Sequence, residues 1–160
     1  MTLHLVRHGR PLVDRARPAR AWDLDPAGYD DVWALRESGR LPDRATWCCS
    51  AEPKAVQTAQ LLTDGEVGIV AGLGEHRRES TVWHADFAGV VRRAFASPTA
   101  SAAPGWEPLV DCRERVTTAV TALLEEHPDT DLVLVGHGTA WTVLVADATN
   151  NRVMAFPLVP

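Results

Sequence analysis

Apolar positions along the chain follow two rhythms. Short unbroken runs occur at Leu3 to Arg7 (LHLVR), Thr46 to Ser50 (TWCCS) and Asp131 to Gly136 (DLVLVG), with Val67 to Ala71 as a fourth candidate. The first and third runs lack in–out alternation, which is expected of strands covered on both faces, as in a parallel sheet. Between the runs the rhythm is helical. Asp25 to Gly39 has an Asp-Pro start and a glycine stop. Pro53 to Gly65 sets Ala55, Ala59 and Leu62 at helical spacing, with Val56 beside them, and again ends in glycine. Glu107 to Pro128 is the longest, with Leu109, Cys112, Val116, Val120 and Leu123/Leu124 at three- and four-residue steps. Strands alternating with helices predict an α/β fold with a mainly parallel central sheet. Ser97 to Gly105 (SPTASAAPG) reads as a lid or connector within one domain over residues 1–160. The tail NNRVMAFPLVP is expected to add one edge strand.

Composition narrows the function classes. The 160 residues carry a net charge of −5. An acidic chain argues against nucleic acid as the main partner, although a local basic pocket is compatible with it. No apolar run approaches the ~20 residues of a membrane span, so no membrane partner is expected. The N-terminal stretch lacks a basic region followed by a long apolar one, so no signal peptide is expected. Three cysteines, two of them adjacent at Cys48 and Cys49, make neither a disulfide framework nor a zinc pattern. They read as reduced thiols of a cytoplasmic protein.

The chemistry sits at strand ends. In open α/β sheets, ligands bind beyond the carboxyl ends of the strands. There the first run delivers Arg7, His8 and Gly9, and the last delivers His137 and Gly138. The second delivers Ser50 and, at the start of the next helix, Lys54. If these groups converge, the pocket is cationic inside an acidic protein, which suits a phosphoryl group. Gly9 and Gly138 would let backbone approach the ligand closely, and a helix starting after Gly138 could aim its N–H groups there. A neutral histidine can attack phosphorus, and the leaving oxygen then needs an acid. GLGEHRRES supplies Glu75, with Glu79 as the alternative. His4 and His8 share a strand face, but two histidines make a poor metal site. GHGTAW is not a dinucleotide fingerprint, because Trp141 stands at the third glycine position. No Gly-x-Ser-x-Gly elbow is present.

LVRHGRP resembles the Arg-His-Gly motif of the histidine phosphatase superfamily, the phosphoglycerate-mutase-like proteins. CSAEPKAVQTAQLL resembles that family's second block, GLGEHRRES stands where the family carries its acidic residue, and LVLVGHGTA resembles the third block. The four occur in order over nearly the whole chain. The resemblance implies a three-layer α/β/α sandwich. It implies that His8 is transiently phosphorylated, that Arg7 and His137 bind the transferring phosphoryl group, and that Glu75 is the proton donor. Phosphate binding would also involve Lys54, Gly9 and Gly138. No metal and no cofactor are implied. One departure is Lys54, where the family carries arginine; lysine offers a point charge in place of a planar fork.

The expected activity is hydrolysis of a phosphorylated small molecule or phosphoprotein. Two alternatives stand beside it: a non-catalytic phosphate-binding module of the same fold, and a phosphoglycerate-type mutase. The mutase requires a pocket closed to water, and no long lid is visible in the sequence. Trp83 and Trp106 are candidates for the pocket mouth. Substrate identity and oligomeric state are not encoded in these patterns.

Overall fold

The computed structural model describes residues 1–147 and 153–156. Five strands, β1 (Leu3–Arg7), β2 (Thr46–Cys49), β3 (Val67–Ile69), β4 (Leu132–Gly136) and β5 (Val153–Phe156), form one parallel sheet in the order β3-β2-β4-β1-β5. The helices are α1 (Tyr29–Glu37), α2 (Pro53–Leu62), α3 (Phe87–Ala96), α4 (Leu109–Glu126) and α5 (Gly138–Asp147). None of the described helices is long and apolar enough to cross a membrane.

Alternation along the strands divides the core into two halves. Leu3, Leu5, Cys48, Leu132 and Leu134 face α4 and α5 through Leu109, Cys112, Val116, Val120, Ala140 and Leu144. Val6, Trp47, Cys49, Val133 and Val135 face α1 and α2 through Val32, Leu35, Ala55, Ala59 and Leu62. Both faces of β1 and β4 are covered, which is why those runs are apolar without alternation. The result is the expected three-layer α/β/α sandwich. All three cysteines are free and buried. Burial pushes the Cys112 thiol up to about 12, so it stays protonated and inert.

The predicted elements fall close to the observed ones, with instructive differences. The tail supplies β5, hydrogen-bonded to β1 from Leu3↔Val153 to Val6↔Phe156; the rest of that tail lies outside the described residues. The Val67 run stops as a strand at Ile69 and turns through a 3-10 segment at Ala71–Leu73. At Gly72 a Cβ would lie 2.6 Å from Ala119 Cβ, so the 3-10 segment passes directly against α4. Helix α3 was not anticipated, although Asp86 caps it by accepting from Gly89 N and Val90 and Ala94 lie on its buried side. It packs on Ala103 and Trp106 in a satellite cluster rather than on the sheet. The Ser97–Gly105 segment is a connector between α3 and α4, with Ala103 buried in that cluster.

Register decides what meets at the sheet's carboxyl edge. Arg7 pairs with Gly136, and Cys49 with Val135. The ladder continues one residue further through His8 N–H to Gly136 O at 2.8 Å and Ser50 N–H to Val135 O at 3.0 Å. His8 and His137 therefore emerge side by side. The tight point is Gly136, where an added Cβ would stand 2.5 Å from Trp141 Cζ2. That indole is anchored by Nε1–H donating to Val6 O at 3.0 Å. We expect Gly136→Ala to lower the unfolding free energy by about 1–3 kcal/mol, the range for overpacking. Urea denaturation measures this; an unchanged midpoint and slope would mean that Trp141 shifts freely.

Candidate active site

His8 is buried, and its Nδ1 lies 2.6 Å from Gly9 O. A carbonyl can only accept, so Nδ1 carries the proton and the lone pair lies on Nε2. Burial pushes the imidazole down to about 4, and Lys54 and Arg7 push in the same direction, against the Gly9 hydrogen bond, which favours the charged form. His8 is thus a neutral base at pH 7. Behind it lies His137, fully enclosed, with ring centroids 5.1 Å apart and the rings set edge to face. His137 Nε2 is 2.6 Å from Ser50 Oγ and 3.4 Å from Glu52 Oε1. Burial, then the neighbouring His8 and Lys54, hold His137 well below the usual histidine range.

The His8 ring forms part of the wall of a cavity of about 420 Å³. Six cations line it: Arg7, Arg20, Lys54, Arg77, Arg78 and Arg115. The only carboxylates among the lining residues are Glu52 and Glu75. A cationic pocket therefore sits inside a chain of net charge −5. Lys54 is not a solvated lysine at a helix start. It is buried at the first turn of α2, where its Nζ donates to Glu52 Oε2 at 2.5 Å and Ala19 O at 2.9 Å. Glu52 also accepts from Glu75 N–H through Oε1 at 2.8 Å. One carboxylate thus links the lysine, the second histidine and the acidic loop.

Glu75 lies at the N-terminus of α5. Its Oε1 accepts from His76 N–H at 2.8 Å and Ala140 N–H at 3.1 Å, and its Oε2 from Thr139 N–H at 3.3 Å. A carboxylate is well placed at this positive end of a helix dipole. The expected N–H groups of α5 are therefore turned to the acid, not left for an anion. Arg115 of α4 holds the loop that carries Glu75. It donates to the carbonyls of Gly72, Gly74 and Glu75 at 2.9, 2.9 and 3.1 Å, and to Glu107 Oε1 at 2.7 Å.

Arg7, His8, Lys54 and Glu75 all meet at the cavity, while His137, Gly9 and Gly138 are not part of its lining. Gly9 N–H donates to Thr58 Oγ1 at 3.0 Å, and a Cβ there would come within 2.8 Å of Leu24 Cδ1 and 2.9 Å of Val32 Cγ2. Gly9 is a packing residue whose carbonyl orients His8. Gly138 leaves the start of α5 beside Arg7, whose Nε stands 3.6 Å from where a Cβ would be. Glu79 does not line the cavity; it pairs with Arg20 at 3.0 Å. Glu52, Arg78 and Arg115 were missed. Glu52 was discoverable beside Lys54 in the EPK stretch, whereas nothing in the periodicity of α4 distinguishes Arg115.

His8 supplies a pH test. Its folded-state value lies below its unfolded one, so between about 4 and 6.5 the unfolded chain binds the extra proton. The stability held at neutral pH is complete above 6.5 and is lost as pH falls toward 4, amounting to about 3 kcal/mol at most. We expect NMR titration of the His8 ring to show it neutral down to about pH 4–5. Titration near 6.5 would mean that the ring is solvated.

The family model for the histidine phosphatase superfamily (branch 1) matches residues 3–159. YhfR of Bacillus stearothermophilus is 21% identical with a TM-score of 0.73, covering 93% of this chain and 80% of that one. The alpha-ribazole phosphatase of Shigella flexneri is 19% identical with a TM-score of 0.73, covering 94% and 81%. The phosphoserine phosphatase of Entamoeba histolytica, in complex with 3-phosphoglyceric acid, is 18% identical with a TM-score of 0.73, covering 95% and 82%. These likenesses concern the fold. No curated protein sequence matches the chain. The match over nearly every residue, with the motif residues gathered at one sheet edge, places the chain in the histidine phosphatase superfamily.

Proposed function

We propose that the protein hydrolyses a phosphate monoester through a phosphohistidine on His8. The observation that carries this is the hydrogen bond from His8 Nδ1 to Gly9 O, which leaves a neutral Nε2 lone pair on a ring lining a cationic cavity. Nε2 attacks phosphorus, an N–P bond forms, and the P–O bond to the alcohol breaks. Glu75 enters this step as the protonated acid and gives its proton to the departing oxygen, to be recharged by the attacking water below. Its Oε2, with one long contact at 3.3 Å, is the oxygen with room for that proton. Water then attacks phosphorus and gives its proton to Glu75. The N–P electron pair returns to His8, and phosphate leaves.

Arg7 and Lys54 neutralise the phosphoryl oxygens, Arg7 with a planar fork and Lys54 with a point charge. His137 acts on His8, whose ring it supports edge-on from an enclosed position. Arg115 is a positioning residue, since it fixes the backbone on either side of the acid. No step is assigned to a metal. A phosphate-binding module is the second reading, favoured by the three N–H groups that already hold the Glu75 carboxylate.

Phosphate release from a generic aryl phosphate, with a chelator present, separates the two. Hydrolysis predicts that His8→Ala abolishes turnover and that Glu75→Gln slows it by about 10²–10⁴-fold, the usual contribution of a general acid. Activity undiminished in His8→Ala would end the phosphohistidine reading. A wild type that binds phosphate without turning over any ester would leave the binding module.

A further inference from the structure

A second hollow, of about 340 Å³, adjoins the first and shares Ala19, Trp22 and Arg78 with it. Its character is different. Trp22, Trp83, Phe87 and Trp106 line it together with Val13 and Val82, and no carboxylate is among its lining residues. Trp22 and Trp83 are stacked with centroids 6.1 Å apart at 23°, and Phe87 lies 5.8 Å from Trp106. The Arg78 guanidinium stands on the shared wall, 4.4 Å from the Trp106 ring and 4.9 Å from Phe87. Trp83 and Phe87 are 49% and 47% exposed, and Val82 is 67% exposed. Exposed aromatic surface beside a polar pocket marks a binding site.

We propose that this hollow receives the alcohol part of the phosphate ester and selects alcohols that bear a flat aromatic group. The inference rests on the phosphatase reading. Its own support is geometric: Ala19, Trp22 and Arg78 line both spaces, so the hollow lies directly beside the cavity that would hold the phosphoryl group. Rings there offer offset and edge contacts to a planar group. Arg78 turns its face to Trp106 and Phe87 and can stack a further ring. Between α3 and α4, Trp106 lines the hollow, while residues 97–105 contribute nothing to its lining. The arrangement thus divides recognition in two, with charge reading the phosphoryl group and aromatic surface reading what it is attached to.

The test compares kcat/KM for ethyl phosphate and naphthylethyl phosphate. Both release primary alcohols of similar acidity, so the ratio reports ring binding and not leaving-group chemistry. The expected ratio is about tenfold or more in favour of the naphthyl ester, in line with burial of one aromatic face. Trp83→Ala should collapse the ratio to within about twofold, and Trp83→Phe, which keeps a ring, should restore most of it. A ratio near one in the wild type, or one unmoved by Trp83→Ala, would overturn the proposal. If neither ester turns over, the aryl phosphate assay above judges the phosphatase reading, and calorimetry with ethylphosphonate and naphthylethylphosphonate decides the hollow alone. Tighter binding of the naphthyl compound by about tenfold, lost in Trp83→Ala, supports it; equal affinities refute it.

Discussion

The hydrogen bond between His8 Nδ1 and the Gly9 carbonyl, 2.6 Å long, fixes which nitrogen of a buried imidazole is free. Much of the surrounding structure serves to keep it. A side chain at Gly9 would push on Leu24 and Val32, whose methyl groups stand 2.8 and 2.9 Å from the position of a Cβ. The Gly9 N–H is tied to Thr58 Oγ1 at 3.0 Å, which holds the peptide that joins it to His8. His137, placed alongside by the β1–β4 register, closes the other side of the ring. Burial keeps the imidazole neutral, and nearby cations reinforce this.

The same cations create the site's main electrostatic tension. Six of them line one cavity in an acidic protein, and in the absence of an anion they must be held apart or paired. Glu79 pairs with Arg20 and Glu107 with Arg115. Glu52 neutralises Lys54, and Glu75 occupies the helix N-terminus that would otherwise attract an anion. On the proposed reading, an incoming phosphoryl group would compete for these positions.

Much of this was legible in the sequence, for identifiable reasons. Strands β1 and β4 are buried on both faces, so their apolar runs were unmistakable, and the motif residues stand immediately after them. Helix α3 was hidden because it contributes to a satellite cluster with Trp106 rather than to the main core. The supporting groups were harder still. Arg115 reaches Glu75 across 40 residues of chain, and Glu52 bridges His137 and Lys54, contacts that only tertiary structure brings about. The burial of Lys54 runs against what a lysine at a helix start suggests, and it follows from the Ala19 carbonyl and Glu52 closing over it.

A phosphohistidine is a covalent species, and it can be trapped. Protein mixed with a phosphate ester, quenched within milliseconds under alkaline conditions and digested, would be read by mass spectrometry. The expected result is a phosphoryl group on the peptide containing His8, labile to acid and absent from His8→Ala. Turnover with no such adduct at any quench time, or a phosphoryl group found on another residue, would contradict it.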